Sequence, residues 1–250
     1  MPELPEAERA RLVIEEHALR RTIIAVDDSD TYVCRPHAPG EIAAALEGHR
    51  LTAAHRQGKM LWVDTTGPVL GLHLGMAGRF VVDAKPAPRG WDRFALDFEG
   101  GGRLALRDKR RLSRAVLDPD TSRLGPDAAE AGRAEFRERV GHGTLPIKAR
   151  LLDQSTIAGV GNLLADETLW KARLDPRRPA GELTATELDG LRRALRAATR
   201  AAVRKGGVHT GDLIGARHRG GHCPRCGAAL ERGKVGGRTT WWCPLEQAGD

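Results

Sequence analysis

The stretch Asp153-Gln154-Ser155-Thr156-Ile157-Ala158-Gly159-Val160-Gly161-Asn162 separates two helical patterns. A glycine-bearing turn that opens a helix presents backbone N–H groups and the positive end of the helix dipole, and such a terminus holds phosphate readily. Asn162 stands where the N-cap of the following helix, over 163–170, is expected. Taken alone, the same residues read equally well as an ordinary helix–turn–helix connection. Upstream, 134–140 and 146–152 carry helical spacing. Downstream, Thr184-Ala185-Thr186-Glu187 is a capping box. The stripe Leu188, Leu191, Leu195, Ala198 and Ala202 behind it marks a structural helix with arginines on its other face.

The first half of the chain has a different period. Residues 5–19 read as a helix, with Ala10, Val13, Ile14 and His17 on one face. Short β-leaning runs then follow at 22–26, 51–56, 60–65, 69–74, 78–82, 93–98 and 103–106, separated by Gly, Pro and Asp. They predict an antiparallel sandwich or barrel-like domain, with one short helix at 41–46. Pro119, Gly125, Pro126 and Gly132 give 119–132 the composition of a linker. The fold class is α+β with several domains: 1–118, the linker 119–132, a helical domain at 133–215, and a C-terminal hairpin at 216–250.

Composition narrows the partner. The chain has 250 residues and a formal net charge of +7, with an isoelectric point near 9.7. That balance favours a polyanion, nucleic acid first, although an arginine-rich genome alone raises the isoelectric point. No apolar run approaches the ~20 residues that span a bilayer, and no secretory pattern is present, so a cytosolic setting is expected.

Two regions carry candidate chemistry. The chain starts Met1-Pro2-Glu3-Leu4-Pro5-Glu6. With Met1 removed, the Pro2 nitrogen is a free secondary α-amine, a group that titrates at about 7.7–8.0. Such an amine attacks a sugar aldehyde carbon to give a cationic iminium, and Glu3 beside it can shuttle protons. Pro5 suits the first turn of a helix that would pin the amine. The plainer alternative, a processed terminus with an acid that complements a helix dipole, is the commoner case for this stretch alone. At the other end, Cys223-Pro224-Arg225-Cys226 has metal-knuckle spacing and Cys243-Pro244-Leu245-Glu246 is an incomplete second knuckle. Either Cys223, Cys226 and Cys243 hold zinc with Glu246 as fourth ligand or none, or Trp241 and Trp242 pack a ribbon without metal. His222 is an alternative ligand, poorly placed beside Cys223. Three further features are each ordinary alone: Lys59 between two strands, Met76 on the turn His73-Leu74-Gly75-Met76-Ala77-Gly78, and the basic run Arg107-Asp108-Lys109-Arg110-Arg111-Leu112.

Their order along the chain is more specific than any one of them. Together they resemble the formamidopyrimidine-DNA glycosylase/endonuclease VIII family over nearly the full length. The resemblance implies an N-terminal β-sandwich with a leading helix, a helix–two-turn–helix domain, a zinc or zincless finger, and double-stranded DNA with damaged or abasic sites in the cleft between domains. It implies a bifunctional glycosylase/AP lyase, monomeric and associated with the nucleoid. Pro2 would attack C1′ of a flipped nucleotide, Glu3 would act as general acid/base, and β- then δ-elimination would nick the strand. Lys59 is similar to the lysine that contacts phosphate and supports the lyase step. Asn162 and Arg238 are similar to the pair that clamps phosphates, with Arg238 also tied to δ-elimination. Glu167 is similar to the acid that stands near the amine. Met76, Arg110 and Leu112 resemble the wedge that fills the gap left by the extruded nucleotide, and His73, Arg111, Lys148 and Gly161 complete the implied DNA contacts.

Three departures from the family pattern stand out, bearing in turn on the wedge, the zinc site and the substrate. Leu112 replaces an aromatic wedge, Glu246 replaces a cysteine, and the stretch 206–222 is short where the family carries a loop that caps the lesion. The last leans away from 8-oxoguanine toward oxidised pyrimidines, ring-opened purines or a bulkier adduct. The rivals are a damage-binding paralogue without catalysis, which would have no need of Pro2-Glu3, and an RNA-binding protein, which the β-rich first half disfavours.

Overall fold

The computed structural model describes residues 2–83 and 90–248. They form two compact units, one built from Pro2 and Ala7–Ser122, the other from Glu3–Glu6 and the chain from Arg123 onward.

In the first unit, helix α1 (Leu4–His17, its first turn counted with the second unit) leads into β1 (Ile23–Asp27), α2 (Glu41–Leu46), β2 (Leu51–Gln57), β3 (Met60–Thr65), β4 (Leu70–His73), β5 (Arg79–Val82), β6 (Asp92–Phe98), β7 (Arg103–Arg107) and β8 (Arg114–Leu117). The strands make two antiparallel four-stranded sheets, ordered β1-β6-β7-β5 and β2-β3-β4-β8. Apolar residues of both sheets (Ile23, Phe94 and Phe98 from one, Leu61, Leu70 and Leu72 from the other) join Ile14 of α1 in a single buried core. Short β-leaning runs bounded by Gly, Pro and Asp made seven strands legible. Strand β8 was not anticipated, because four residues directly after a basic run carry little local signal. It exists through pairing with β4, from Leu70↔Leu117 to His73↔Arg114.

The second unit contains α3 (Arg133–Val140), α4 (Ile147–Leu152), α5 (Asn162–Ala172), α6 (Ala185–Lys205) and the hairpin β9 (Glu231–Val235)–β10 (Arg238–Trp242). The capping box of α6 is complete: Glu187 N–H donates to Thr184 Oγ1 at 3.2 Å, and Thr184 N–H donates to Glu187 Oε2 at 2.7 Å. Leu188, Leu191, Leu195, Ala198 and Ala202 are all buried. Gly236 and Gly237 have φ of 59° and 72°, the pair of left-handed residues that a two-residue hairpin turn requires.

One expectation is corrected. Asn162 is the first residue of α5 and not its N-cap. Gly161 holds that position in extended backbone and offers no side chain. The group that takes the helix's free N–H donors comes from Glu3.

Candidate active site and nucleic-acid interface

The first four N–H groups of a helix have no partner within it. At α5 two of them are satisfied by Glu3: Leu163 N–H donates to Oε1 and Leu164 N–H to Oε2, both at 2.9 Å. Glu3 as a whole is 1% exposed. Gly161 makes this approach feasible, because a Cβ there would lie 2.2 Å from Glu3 Cδ. Gln154 braces the preceding turn, donating to the carbonyls of Leu152 and Val160 and accepting Gly159 N–H. The terminal segment is pinned further along. Leu4 N–H donates to Gly159 O at 3.1 Å, Glu3 N–H donates to Glu6 Oε2 at 2.9 Å, and Glu6 Oε1 accepts Val208 N–H at 2.6 Å. Pro2 is thus covalently joined to a residue fixed on the helix terminus.

The start of α5 also carries the hairpin. Asn162 Nδ2 donates to Thr239 O at 3.0 Å, one residue beyond the exposed Arg238. Lys148, fully buried on α4, donates to Thr240 Oγ1 at 2.7 Å and forms a 2.6 Å ion pair with Asp166 of α5. Asp166 Oδ2 accepts Arg217 Nε at 2.8 Å and Trp241 N–H at 3.2 Å. Burial pushes the Lys148 ammonium below its usual range, and the Asp166 charge opposes that shift. These contacts bring Asn162 and Arg238 to one place across 76 residues of sequence. Asp166 and Arg217, which hold this arrangement, carry no spacing signal by which the sequence could have marked them. Lys148 is therefore buried behind β10, where its charge orders the strand.

Glu167, also on α5, receives Asp212 N–H at 3.0 Å and Leu213 N–H at 2.9 Å, and pairs with Lys171 at 3.1 Å. In these contacts it anchors the segment after α6.

The first unit assembles the other candidates at one end of the β2-β3-β4-β8 sheet. Lys59 sits in the turn between β2 and β3, and register aligns Met60, His73 and Arg114 across β3, β4 and β8. Burial, then the charges of Lys59 and Arg114, push His73 below the usual imidazole range. Its Nδ1 accepts Gly75 N–H at 3.0 Å, so the neutral ring carries its proton on Nε2. Two loops meet here. Gly75, at φ 59°, passes so close to the next loop that a Cβ would lie 2.3 Å from Leu112 O. That next loop is shaped by buried Asp108, which accepts N–H groups from Arg110, Leu112 and Ser113 at 2.7–2.8 Å. The result lifts Met76 and Leu112 into solvent, 39% and 38% exposed, with Arg110 and Arg111 exposed beside Leu112. Residues 36 positions apart thus sit on touching loops.

In the C-terminal hairpin region, one sulfur each from Cys223, Cys226 and Cys243 lies within 4.8 Å of the others. Cys223 Sγ accepts the Trp170 indole N–H at 3.3 Å. Burial opposes its ionisation, but that indole and the backbone N–H groups of Cys226 and Arg225 outweigh it and bring the thiol down to about 7. Cys243 Sγ accepts Glu246 N–H at 3.4 Å, while burial pushes this thiol up to about 11. Backbone N–H groups turned onto sulfur, with three thiols converging, suit zinc. Glu246 instead pairs with Arg225 at 2.8 Å and Arg173 at 3.3 Å, and His222 is exposed outside the cluster. The residues that fit the ion are therefore the three cysteines.

Comparison with known proteins agrees with this arrangement. A family model described as the formamidopyrimidine-DNA glycosylase N-terminal domain matches residues 1–115, and one for the formamidopyrimidine-DNA glycosylase H2TH domain matches residues 124–212. Proteins named formamidopyrimidine-DNA glycosylase from Chloroflexus aggregans and from a Nocardioides species are each 35% identical, over 99% of this chain and 98% and 94% of theirs. Among solved structures, the MutM (Fpg) protein of Thermus thermophilus is 35% identical with a TM-score of 0.83, covering all of both chains. Lactococcus lactis Fpg in complex with abasic-site DNA is 27% identical with a TM-score of 0.86, covering 99% of this chain and 100% of that one. With both family models and full-length relatives in agreement, the chain belongs to the formamidopyrimidine-DNA glycosylase family.

Proposed function

We propose that the protein is a base-excision-repair DNA glycosylase and AP lyase that uses the Pro2 nitrogen as nucleophile. The observation that carries this reading is the seating of Glu3 on the α5 terminus. A carboxylate one residue from Pro2 is held by two backbone N–H groups, which fixes the segment that carries the nucleophile as well as the helix terminus. Pro2 nitrogen attacks C1′ of a flipped nucleotide. The C1′–N bond breaks, the base leaves with the bonding pair and takes up a proton, and sugar ring opening gives the iminium. Glu3 moves protons at the sugar and, as an anion, offsets the iminium charge. Loss of a C2′ proton then expels the 3′ phosphate, and a second elimination expels the 5′ phosphate.

Flipping costs a few kcal/mol of unstacking. Met76 and Leu112 are suited to offset it as apolar wedges, with Arg110 beside them. Lys59, His73, Arg111, Asn162 and Arg238 are suited to phosphates, and Gly161 lets backbone approach closely. Lys148 acts from behind the strand, and Glu167 supports the segment packed on α5. Cys223, Cys226 and Cys243 would hold a structural zinc ion. No described helix is long and apolar enough to cross a membrane, and a cytoplasmic, nucleoid-associated monomer fits this work. The alignment with one full-length relative runs over 272 positions against 250 residues here; a shortened stretch at 206–222 would account for part of that difference and leave the lesion pocket open. Solved relatives carry Fapy-dG, an oxidised pyrimidine and carbocyclic 8-oxo-G in DNA; the first two lesion classes are the proposed substrates, because the short stretch at 206–222 leans away from the third.

The test is product analysis on an end-labelled duplex with one abasic site. β,δ-Elimination leaves phosphate on both ends of a one-nucleotide gap. Hydrolytic cleavage that leaves a 3′ hydroxyl, or binding without cleavage, would contradict the proposal.

A further inference from the structure

Tyr32, the chain's single tyrosine, is 44% exposed and surrounded by guanidiniums. Arg35 Cζ lies 3.7 Å from the ring centroid, Arg114 Cζ 5.8 Å and Arg111 Cζ 5.9 Å. Arg35 and Arg114 also both donate to the Tyr32 carbonyl oxygen, the latter at 2.8 Å. Arg111 is balanced by Asp30, whose carboxylate lies 2.9 Å from its Nε. The same carboxylate accepts Tyr32 and Val33 N–H at 3.1 Å, so this segment is fastened to the loop that carries Leu112. Arg35 and Arg114 have no such balance: among the described residues, neither forms an ion pair with a carboxylate. Burial and the Arg35 charge push Arg114 below its usual range, the mark of cations crowded without a counter-ion. By register Arg114 is also the strand neighbour of His73, so Arg114 continues the row of Lys59 and His73.

We propose that Arg35 and Arg114, held in place by the Tyr32 ring, form an additional phosphate subsite for the DNA backbone beside the Met76 and Leu112 loops. The inference rests on the DNA-binding reading above. Two planar guanidiniums that converge on one carbonyl oxygen leave further N–H donors for an anion, and guanidinium forks match phosphate oxygens. The aromatic face restricts both side chains, so little rotamer freedom is lost on binding. Tyr32 is a positioning residue; the arginines make the contact.

The test measures affinity for a duplex bearing a tetrahydrofuran abasic analogue by anisotropy at several salt concentrations. One phosphate contact contributes about 0.9 to the slope of log affinity against log salt. Arg35→Gln/Arg114→Gln, which keeps donors for the Tyr32 carbonyl, is expected to lower that slope by about 0.9 and to weaken binding. Tyr32→Phe should match wild type, and Tyr32→Ala should fall toward the double variant. Arg200→Ala/Arg204→Ala on α6 removes the same charge elsewhere and should leave more of the slope. The subsite is overturned if the Gln variant binds with the wild-type slope, or if the α6 variant loses as much. If wild type itself fails to bind the duplex, the DNA-binding reading falls as well; loss confined to the variants leaves that reading intact.

Discussion

Gly161→Ala is the sharpest perturbation of the site. Gly161 has φ −116° and ψ −170°, extended backbone that alanine adopts without strain, so the effect is purely steric. The new methyl would lie 2.2 Å from Glu3 Cδ and 2.5 Å from Cγ, about 1.2 Å short of ordinary contact. Glu3 cannot rotate away while keeping both hydrogen bonds from the Leu163 and Leu164 N–H groups. Crowding a packed site costs about 1–3 kcal/mol, and hydrogen bonds to a charged group contribute about 1.5–3 kcal/mol each; a stability loss of about 2.5–6 kcal/mol follows if one of the two bonds is lost. A reactive group misplaced by about 1 Å loses on the order of 100-fold in rate. The assay pairs thermal melting with single-turnover base excision at saturating enzyme. Excision is expected to fall about 100-fold at a temperature where the variant remains folded. A variant that melts with wild type and excises at the wild-type rate would refute the claim that α5 positions Glu3.

Other consequences follow from single contacts. Lys148→Met leaves the Asp166 carboxylate facing Arg217 alone in a buried site, and breaking such a pair costs about 3–5 kcal/mol; urea unfolding should show that loss. His73 has a depressed pKa in the folded state, so as pH falls through about 6.5 the unfolded chain takes up the proton first. The stabilisation present above that pH is then lost, and the melting difference between wild type and His73→Gln should shrink from pH 7.5 to 5.5; a difference independent of pH would contradict the buried neutral imidazole. Metal analysis of purified protein should find stoichiometric zinc that a strong chelator removes with a fall in melting temperature. Protein free of zinc with an intact hairpin would favour a ribbon held by Trp241 and Trp242.

Much of the fold was legible because local pattern dictates local structure. β-Leaning runs between Gly, Pro and Asp marked most strands, Thr184-Ala185-Thr186-Glu187 marked the start of α6, and alternation over 238–243 marked the hairpin. What escaped was non-local. Strand β8 depends on β4, the α5 terminus is satisfied by a carboxylate 160 positions away, and Lys148, expected among the DNA contacts, is enclosed by Asp166 of another helix. Among site residues, chain order pointed to Met76 and Leu112, but only the close passage of Gly75 past the Leu112 carbonyl places their loops together. Tyr32 drew no notice, since an aromatic side chain in a loop gains meaning only from the arginines that reach it.

Borohydride trapping on abasic duplex, followed by peptide mapping of the adduct, tests the central claim most directly. The account predicts a reduced covalent bond between deoxyribose and the Pro2 nitrogen, lost in Pro2→Gly. An adduct on an internal lysine, or undiminished trapping by a protein that retains Met1, would contradict it.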